Sequence, residues 1–589
     1  MSTRIATGGR LLNKSNAVSF SFNGKQLRGF EGDTLASALL ANDQMLVGRS
    51  FKYHRPRGVV AAGPEEPNAL VNLGRAGKFE PNQRATTTEL FDGLNAESQN
   101  HWPSLEFDVG AINKYLSRFL PAGFYYKMFI HPRPFWKHVY EPIIRHSAGL
   151  GKAPKDQDAD SYEHFYAFCD VLIIGGGVAG LEAARTAGRS GARVILLEQT
   201  AHWGGRAPVD GGTIEGTPVN SFVDDLVAEL STMSNVEMRT RVMGAGVYDH
   251  GYVLGYERLT DHAPQAAGPR HRLWRIRAGH VITATGAIER PLSFAGNDIP
   301  GVMLAASIRD YLVNYGVSVG DRTVVVTNND DAYRTAIALV EAGLSVPAVL
   351  DARVLPQDSP LMVRAKELGI RVMMGHAISR VKGTKRVAAV EVCSQAGEGA
   401  VLETIACEAV AMSGGWAPVV HLWSHCGGKL VWDTTLATFR PDVDNPPLGA
   451  DGHGFVTAAG AAAGFFGLDD ILHDAHAAAD GVATALGFKL PSEVVSPNAS
   501  RQEEAPLTPV WLMPQGAGVN LREKAWLDYQ NDVKVSDIRL AAQEGFVSVE
   551  HAKRYTTLGM ATDQGKLSNV NGLATLAGAM NADIPSVGT

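Results

Sequence analysis

The sequence predicts an α/β protein built on two βαβ units. Residues 170–198 place an apolar strand, a glycine-rich turn, a helix and a second strand in succession, and residues 323–351 repeat that order of elements. Strands that alternate with helices in this way form a parallel sheet. The chain of 589 residues is long enough for about three to five domains, so further modules are expected around this core.

The first unit carries a glycine-rich turn between the predicted strand Val171 to Ile174 and the predicted helix Leu181 to Ser190. Gly175 permits a sharp turn, Gly177 lets the backbone approach a pyrophosphate, and Gly180 lets the helix pack closely on the strand. The pattern therefore indicates a dinucleotide site of the Rossmann type, the alternative being an ordinary βαβ turn.

The strand Val194 to Leu197 then ends in Glu198, where a carboxylate accepts ribose hydroxyls. A later strand, residues 279–286, ends in a Thr-Gly turn that is expected to form a neighbouring wall. The residues predicted to line the site are Gly175, Gly177, Val178, Ala179, Gly180, Glu198, Gln199, Gly204, Gly205, Arg206, Thr285, Gly286 and Gly460.

The second unit has the strand Thr323 to Val326, the helix Ala332 to Ala342 and the strand Val346 to Leu350, but its turn contains no glycine. Asp330 and Asp331 in this turn would repel a pyrophosphate. The fold is therefore expected to persist while the ligand site is empty or altered.

Composition narrows the class of protein. A net charge of -7 and a pI near 6.2 argue against general affinity for nucleic acid or an anionic membrane. The N-terminus has no apolar signal region, so a cytoplasmic protein is expected. The four cysteines form no CxxC pair, which argues against a disulfide framework and a dithiol redox centre.

Two regions outside the core leave alternatives open. Residues 49–57 combine four basic side chains with two aromatics, which suits a phosphate or acidic partner, although a solvated or interdomain loop is favoured. Residues 91–140 hold twelve of the 45 aromatics and several prolines, so this segment either wraps over a neighbouring domain or forms a subunit interface.

No catalytic residue or metal ligand is assigned. His421, His425 and Cys426 could begin a zinc site, but a fourth ligand is not evident and helix packing is favoured. No nucleophile elbow, carboxylate dyad or Ser/His/Asp arrangement stands out.

Several long strings carry a resemblance to a known family. FEGDTLASALLAND, GRSFKYHRPRG, EEPNALV, RFLPAGFYYK, TNNDDAY and KRYTTLGMATDQGK resemble the alpha subunit of heterotetrameric sarcosine oxidase, and the resemblance covers nearly the whole chain. It implies NAD in this chain, FAD on a beta subunit, FMN between alpha and beta, and two smaller subunits, gamma and delta. The implied reaction converts sarcosine to glycine, formaldehyde and hydrogen peroxide.

The resemblance also implies the arrangement of modules, with a thioredoxin-reductase-like core between a ferredoxin-like α+β module and a small helical module. The expected ranges are 1–95 (ferredoxin-like), 96–165 (aromatic-rich connection), 166–300 with 410–490 (first dinucleotide domain), 301–409 (second, degenerate domain), 491–510 (linker) and 511–589 (helical module resembling a bacterioferritin-associated ferredoxin).

Departures from these patterns limit the cofactors. A [2Fe-2S] cluster needs four thiolates, yet the first cysteine is Cys169, so no cluster is expected in the N-terminal module. The cluster cysteines of the C-terminal type are replaced by Asp528, Gln530, Asp563 and Ser568, whose oxygens do not hold iron–sulfur clusters.

The related flavoproteins end their last motif in Gly-Asp, whereas Gly460 is followed by Ala461, which favours NAD over FAD. Family alpha chains continue beyond the position of Thr589 into a folate-dependent aminomethyltransferase-like domain, so this chain is expected to be a short form or a truncated one.

Lys566, Ser568 and Asn569 offer a cation and hydrogen-bond donors near glycines, as an interfacial FMN phosphate requires, the alternative being a surface loop. Two other functions stay open, a stand-alone NAD(P)H-dependent FAD oxidoreductase and a noncatalytic cofactor-binding scaffold subunit. The amine substrate is also open.

Overall fold

The computed structural model describes residues 3–115, 117–147, 149, 151–354 and 358–588. The chain forms two compact units, each assembled from separate stretches of sequence. The larger unit comprises Met1–Ala159, Glu289–Gly415 and Glu504–Thr589, and the smaller unit comprises Asp160–Ile288 and Trp416–Glu503. Of the helices that the structure describes, none has both the length and the apolar character of a membrane span.

The smaller unit is built around a seven-stranded sheet. Its strands, in spatial order, are Val236–Arg239, Val194–Leu197, Tyr162–Ile174, His271–Thr283, Tyr252–Arg258 and Val242–Tyr248, with Val456–Ala458 also paired to His271–Thr283. The helices of this unit are Val178–Arg189, Ala207–Asp210, Val219–Thr232, His421–His425 and Leu468–Ala485, and two hairpins are formed by Thr213–Ile214 with Thr217–Pro218 and by Leu430–Asp433 with Thr438–Pro441. Apolar side chains of the three long helices pack on the parallel strands to form the core.

Two predicted elements of this unit differ in length from the observed ones. The strand expected at Val171 to Ile174 begins at Tyr162, because its first half pairs in parallel with His271–Thr283. The helix expected from Leu181 begins at Val178, directly after the glycine turn.

The larger unit contains the second parallel sheet. Its strands, in spatial order, are Val302–Leu304, Ala409–Ser413, Thr323–Thr327, Val349–Asp351 and Val372–Met374, accompanied by the helices Ala305–Tyr315, Asp331–Glu341 and Pro360–Glu367. An antiparallel sheet of His376–Gly383, Val387–Ser394 and Glu403–Ala406 follows. Ala409–Ser413 pairs with Thr323–Thr327, so the chain returns to the smaller unit after Gly415 and not at residue 410 as expected.

An N-terminal α+β module belongs to the same unit. Its sheet has the order Lys25–Glu31, Asn13–Phe22, Leu94–Glu97, Leu70–Leu73 and Glu80–Arg84, and its helix is Leu35–Ala41. The first two strands are joined by a hairpin at Asn23-Gly24, with positive φ at both residues. Thr34 caps the helix, and the neighbouring Asp33 accepts from Phe30 N and Ser37 Oγ.

The segment that follows is irregular, with the short helices Phe124–Lys127, Arg133–Phe135 and Glu141–Ser147. The C-terminal module contains the hairpin Trp526–Asp528 and Val533–Lys534 and the helices Val519–Arg522, Val535–Gln543, Val549–Thr556 and Asn569–Met580. Ser548 occupies the N-cap position of Val549–Thr556 without a side-chain capping hydrogen bond.

Candidate dinucleotide-binding site

Backbone atoms lie directly against two glycines of the turn in the smaller unit. Gly175 has φ near 112°, and a Cβ at this position would lie 2.2 Å from the carbonyl oxygen of Ala284. A Cβ on Gly180 would lie 1.8 Å from the carbonyl oxygen of Gly175. Neither backbone atom can yield as a flexible side chain would, so the turn requires glycine at both positions.

Gly177 has a different environment from these two glycines. The nearest atom to a Cβ there would be Gly205 Cα at 3.9 Å, so the protein itself leaves room beside Gly177. Gly177 precedes the helix Val178–Arg189 and provides no side-chain cap. The first N–H groups of a helix have no intrahelical partner, and together with the helix dipole they attract an anion. The geometry therefore suits a pyrophosphate at this helix start.

Glu198 lies beside the turn with its side chain held in place. One carboxylate oxygen accepts from Gly176 N at 2.7 Å and the other from Thr200 N at 2.7 Å. The ring of Trp203 covers the turn, since a Cβ on Gly176 would lie 2.5 Å from it. Each carboxylate oxygen keeps a second lone-pair direction, which can accept a ribose hydroxyl.

Sequence reasoning missed Gly176 and Trp203. The available signals were the third glycine of the run at 175–177 and a tryptophan directly before Gly204 and Gly205.

Other predicted residues gather around the same turn. Gly204 N donates to Gly176 O at 2.8 Å, and a Cβ on Gly205 would lie 3.0 Å from Gly177 Cα. A Cβ on Gly175 would lie 3.3 Å from Thr285 Cα, and one on Gly460 would lie 2.7 Å from Ala179 Cβ. The structure thus brings three separate stretches of sequence to one helix start.

Three of the predicted residues are engaged elsewhere. Arg206 pairs with Asp210 at 2.8 Å and lies over the Trp416 ring. The exposed Gln199 accepts from Arg258 through its carbonyl. The hydroxyl of Thr285 donates to Val419 O at 2.8 Å, so its backbone, rather than its side chain, faces the turn.

Near Gly460, a carboxylate comes from an unexpected place. Gly460 N donates to Asp474 Oδ2 at 2.7 Å, and Asp474 lies on the helix Leu468–Ala485. Burial raises the pKa of Asp474, whereas the Gly460 bond lowers it. This carboxylate comes from the helix and not from residue 461, where the Gly-Asp motif has its aspartate.

The corresponding position in the larger unit is filled by its own side chains. Arg353 donates to Asp351 Oδ2 at 2.7 Å and to Asp330 Oδ1 at 2.6 Å, and all three side chains are buried. Tyr333 Oη donates to the same carboxylate of Asp351 at 2.9 Å. Asp351 ends the strand Val349–Asp351, the edge at which α/β sheets bind ligands.

Residues 504–508, here termed the strap, cross this edge. Ala505 N donates to Asp330 Oδ2 at 2.6 Å, and Arg353 Nη1 donates to Pro506 O at 3.3 Å. Asn328 Nδ2 donates to Thr508 O at 2.8 Å. Two features therefore occupy the position of a second dinucleotide site: the ion network of Asp330, Asp351 and Arg353, and the strap.

The C-terminal residues predicted to meet a flavin differ in accessibility. Lys566 is half-buried, and its pKa is lowered by burial and by the nearby Arg84 guanidinium. Ser568 is only 1% exposed, so its hydroxyl does not face solvent. Asn569 starts the helix Asn569–Met580, where its side chain lies against Gly559 and Gly565. Lys566 and Asn569 are both partly exposed, and Lys566 is the cation among the three residues.

The ferredoxin-like module lacks the ligands of an iron–sulfur cluster. Residues 1–95 contain no cysteine, and Glu66 organises the loop at residues 60–69. Its carboxylate accepts from the backbone N–H groups of Val60, Ala61, Asn68 and Ala69 at 2.6–2.8 Å. Burial raises the pKa of Glu66 to about 7. The residues present do not fit a cluster.

The C-terminal module does not fit a cluster either. Asp528 Oδ2 accepts from Gly559 N at 2.7 Å, and Thr562 Oγ1 donates to Gln530 Oε1 at 2.9 Å. Burial, and then the neighbouring Asp563 carboxylate, raise the pKa of Asp528 to about 7. Oxygen atoms here tie the loop to the hairpin by hydrogen bonds, and they are poor ligands for iron–sulfur clusters.

The basic run at residues 49–57 packs inside the larger unit. Arg55 pairs with Asp298 at 2.5 Å and donates to Asp532 Oδ1 at 2.6 Å. Arg57 donates to Gln530 O, and Arg49 donates to Leu105 O. These three arginines are buried, so they join parts of the unit to one another and do not face a phosphate ligand.

The His421 to Cys426 stretch forms a helix turn with packing contacts. The His425 ring meets the Tyr248 ring edge-on at 4.9 Å between centroids, and Cys426 Sγ donates to Leu422 O. In the part of the chain that the structure describes, no three His, Cys, Asp or Glu side chains are grouped to hold a metal ion.

Comparisons with known proteins match separate stretches of the chain. Three family models match: a 2Fe-2S iron-sulfur cluster binding domain at residues 15–101, a pyridine nucleotide-disulphide oxidoreductase at 169–443, and a sarcosine oxidase A3 domain at 522–589. They confirm the predicted fold class, a two-dinucleotide-domain core with a ferredoxin-like module before it and a small module after it.

Full-length relatives cover nearly all of this chain. Sarcosine oxidase subunit alpha of Rhizobium meliloti (strain 1021) is 46% identical over 98% of this chain and 56% of that protein. The subunit alpha of Corynebacterium sp. (strain P-1) is 36% identical over 98% of this chain and 55% of that protein. L-proline dehydrogenase from P. horikoshii has the same fold, with a TM-score of 0.67 at 19% identity over 98% of this chain and 96% of that one.

The identity to these relatives and the share of this chain that they cover show its family. The chain belongs to the sarcosine oxidase alpha subunit family, and it spans about half the length of the curated relatives it matches.

Proposed function

We propose that this chain is the NAD-binding, alpha-type subunit of a sarcosine oxidase-like complex. The complex oxidises sarcosine to glycine, formaldehyde and hydrogen peroxide, and the amine is oxidised at a flavin on a partner chain. The observation that carries the proposal is the open helix start at Gly177 beside the anchored Glu198 carboxylate. Family membership supports the reaction type.

The residues of the smaller unit would each have a distinct role toward NAD. The backbone at Gly177–Gly180 would bind the pyrophosphate, and Glu198 would accept the adenosine ribose hydroxyls. Gly286 would leave room for the ligand, since a Cβ there meets no protein atom within 4 Å, and Gly204 and Gly205 would keep the neighbouring loop close to the turn. NAD, when bound, would supply a redox-active nicotinamide, and no residue of this chain is assigned to hydride transfer.

NAD is favoured over FAD at this position because Ala461 follows Gly460, where related flavoproteins have Gly-Asp. A single missing hydrogen bond corresponds to about 1 kcal/mol, so the identity of the ligand has to be measured directly.

FMN would lie at the boundary between this chain and a beta-type subunit that also holds FAD, with gamma- and delta-type subunits completing the assembly. On this chain, Lys566 would face the FMN phosphate, since it is the accessible cation of the predicted trio. Ser568 and Asn569 would act through the loop, because the hydroxyl of Ser568 is buried. We place this complex in the cytoplasm.

The first experiment is purification of this chain alone, with its absorbance spectrum and the identity of the small molecule released on denaturation. Colourless protein that releases NAD is expected, and Gly177→Ala should release less NAD while keeping the melting temperature of the NAD-free protein. Yellow protein that releases FAD and turns over NADH would overturn the proposal in favour of a stand-alone FAD oxidoreductase. Bound NAD in a complex that does not oxidise sarcosine would indicate a scaffold or a different amine.

A further inference from the structure

The aromatic segment, defined as residues 102–147, exposes an unusual amount of apolar surface. It contains twelve of the 31 large apolar side chains that are exposed in the described residues: Trp102, Phe107, Val109, Ile112, Tyr115, Phe119, Met128, Ile130, Phe135, Trp136, Val139 and Ile143. Tyr115 is 85% exposed and Phe107 is 69% exposed. Scattered exposed apolar residues are normal, but a concentration of this kind marks an interaction surface.

These side chains are not what holds the segment to its own unit. Its attachments to the unit include Leu105, which is buried in the core of the unit, and two hydrogen bonds in which Tyr53 Oη donates to Leu120 O at 2.8 Å and Tyr125 Oη donates to Arg554 O at 3.0 Å. His54 bonds to Asp108 at 2.7 Å. Of the two alternatives that the sequence left open, a wrapping role would have buried the aromatics, so the interface role is favoured.

An internal aromatic cluster gives the second half of the segment its shape. The Phe129 ring lies 5.8 Å from Phe124 and 5.0 Å from Tyr140, and Phe135 lies 6.1 Å from Tyr140, measured between ring centroids. The short helices are therefore packed on one another while Trp136 and its apolar neighbours stay outside. A surface that is ordered before binding loses less conformational entropy on association.

The charge of the segment distinguishes between possible occupants. Residues 102–147 contain six Lys and Arg and three Asp and Glu, whereas the whole chain has a net charge of -7. Two copies meeting through the same face would bring like charges together, which disfavours a second copy. A partner with an apolar surface rimmed by carboxylates is complementary.

The segment also adjoins the loop proposed to meet a flavin. A Cβ on Gly123 would lie 2.2 Å from the Tyr555 ring, and Lys127 pairs with Glu544. Tyr555 lies two residues before Thr557, where the loop of residues 557–568 begins. A partner that covers the segment would therefore reach this loop.

We propose that the aromatic segment is the docking surface for the flavin-bearing, beta-type subunit. This inference rests on the proposed function for the existence of that subunit. Aromatic anchors would enter apolar pockets of the partner, and the surrounding basic residues would steer the encounter with its acidic rim.

The test measures binding of this chain to the co-expressed beta-type subunit by biolayer interferometry. Phe107→Ser, Ile112→Ser and Tyr115→Ser together should weaken binding at least tenfold, mainly through faster dissociation. Arg133→Glu with Lys137→Glu should slow association and reduce its dependence on salt. The control is Phe168→Ser with Val443→Ser, which removes two comparably exposed apolar side chains from the smaller unit.

Each outcome has a distinct meaning. Equal affinities of the triple variant and the control, with unchanged melting temperature and NAD content, would overturn the docking surface while leaving the proposed function intact. Absence of any complex with the unmodified chain would overturn the proposed function and this inference together. Self-association of the unmodified chain that the triple variant abolishes, seen by sedimentation, would assign the surface to a second copy instead.

Discussion

The two βαβ domains of this protein share their order of elements and differ where the first strand meets its helix. In the smaller unit, glycines leave the helix start open and Glu198 stands beside it. In the larger unit, Asp330 and Asp351 hold Arg353, and the strap crosses the strand ends. A few residues at one edge of the sheet can thus fill the ligand position of a dinucleotide-binding fold, which then serves only for packing.

The largest expected effect comes from the glycines of the open turn. Gly180→Ala would place a methyl group 1.8 Å from the carbonyl oxygen of Gly175, so the turn cannot form. We expect loss of bound NAD and a large drop in the melting temperature of this unit. Gly177→Ala meets no protein atom within 3.4 Å, so it should fold normally and lose affinity for NAD about tenfold, or about 1.4 kcal/mol.

Calorimetry and NAD titration of both variants separate these roles. If Gly177→Ala unfolded like Gly180→Ala, the room beside Gly177 would be needed for folding and its assignment to a ligand would lose its basis.

The second expected effect concerns the ion network of Asp330, Asp351 and Arg353 in the second βαβ domain. Arg353→Met would leave Asp330 and Asp351 buried without their shared cation, which costs about 3–5 kcal/mol when one partner of a buried pair is removed. Arg371→Met is the control, since its pair with Glu403 is exposed and worth about 0–1 kcal/mol. Urea unfolding gives the free energies, and similar values for the two variants would contradict a structural role for the network.

Sequence reasoning predicted the site of the first domain because its signals are local. The glycines, the strand and Glu198 lie within 29 residues, and the absence of glycine in the second turn is equally visible. The strap was not predicted, because its contacts join Asp330 to Ala505 across 175 positions. The strand Ala409–Ser413 was assigned to the first domain because its apolar residues fit any buried parallel strand, and only the pairing with Thr323–Thr327 decides its sheet.

A third effect is the pH dependence of the stability of the larger unit, through Glu289. Burial, and then the nearby Asp331 carboxylate, raise the pKa of Glu289 to about 8, from an ordinary 4.5. The stabilisation from the protonated form is complete below pH 4.5 and is lost as the pH rises from 4.5 to 8. Glu289→Gln stays neutral, so its melting temperature relative to the unmodified protein should rise over that range. Parallel melting curves between pH 5 and pH 9 would contradict the assignment.

The smallest expected effect comes from removing the strap. It shows whether the strap, or the side chains of the turn, keeps a dinucleotide out of the second domain. Replacing residues 504–508 by Gly and Ser removes the cover but leaves Asp330, Asp331 and the glycine-free turn. A pyrophosphate would still meet two carboxylates, so equilibrium dialysis should give one NAD per chain before and after the change. A second equivalent that appears only in the strap variant would show that the turn itself can bind a dinucleotide, and the two domains would then differ by a removable cover.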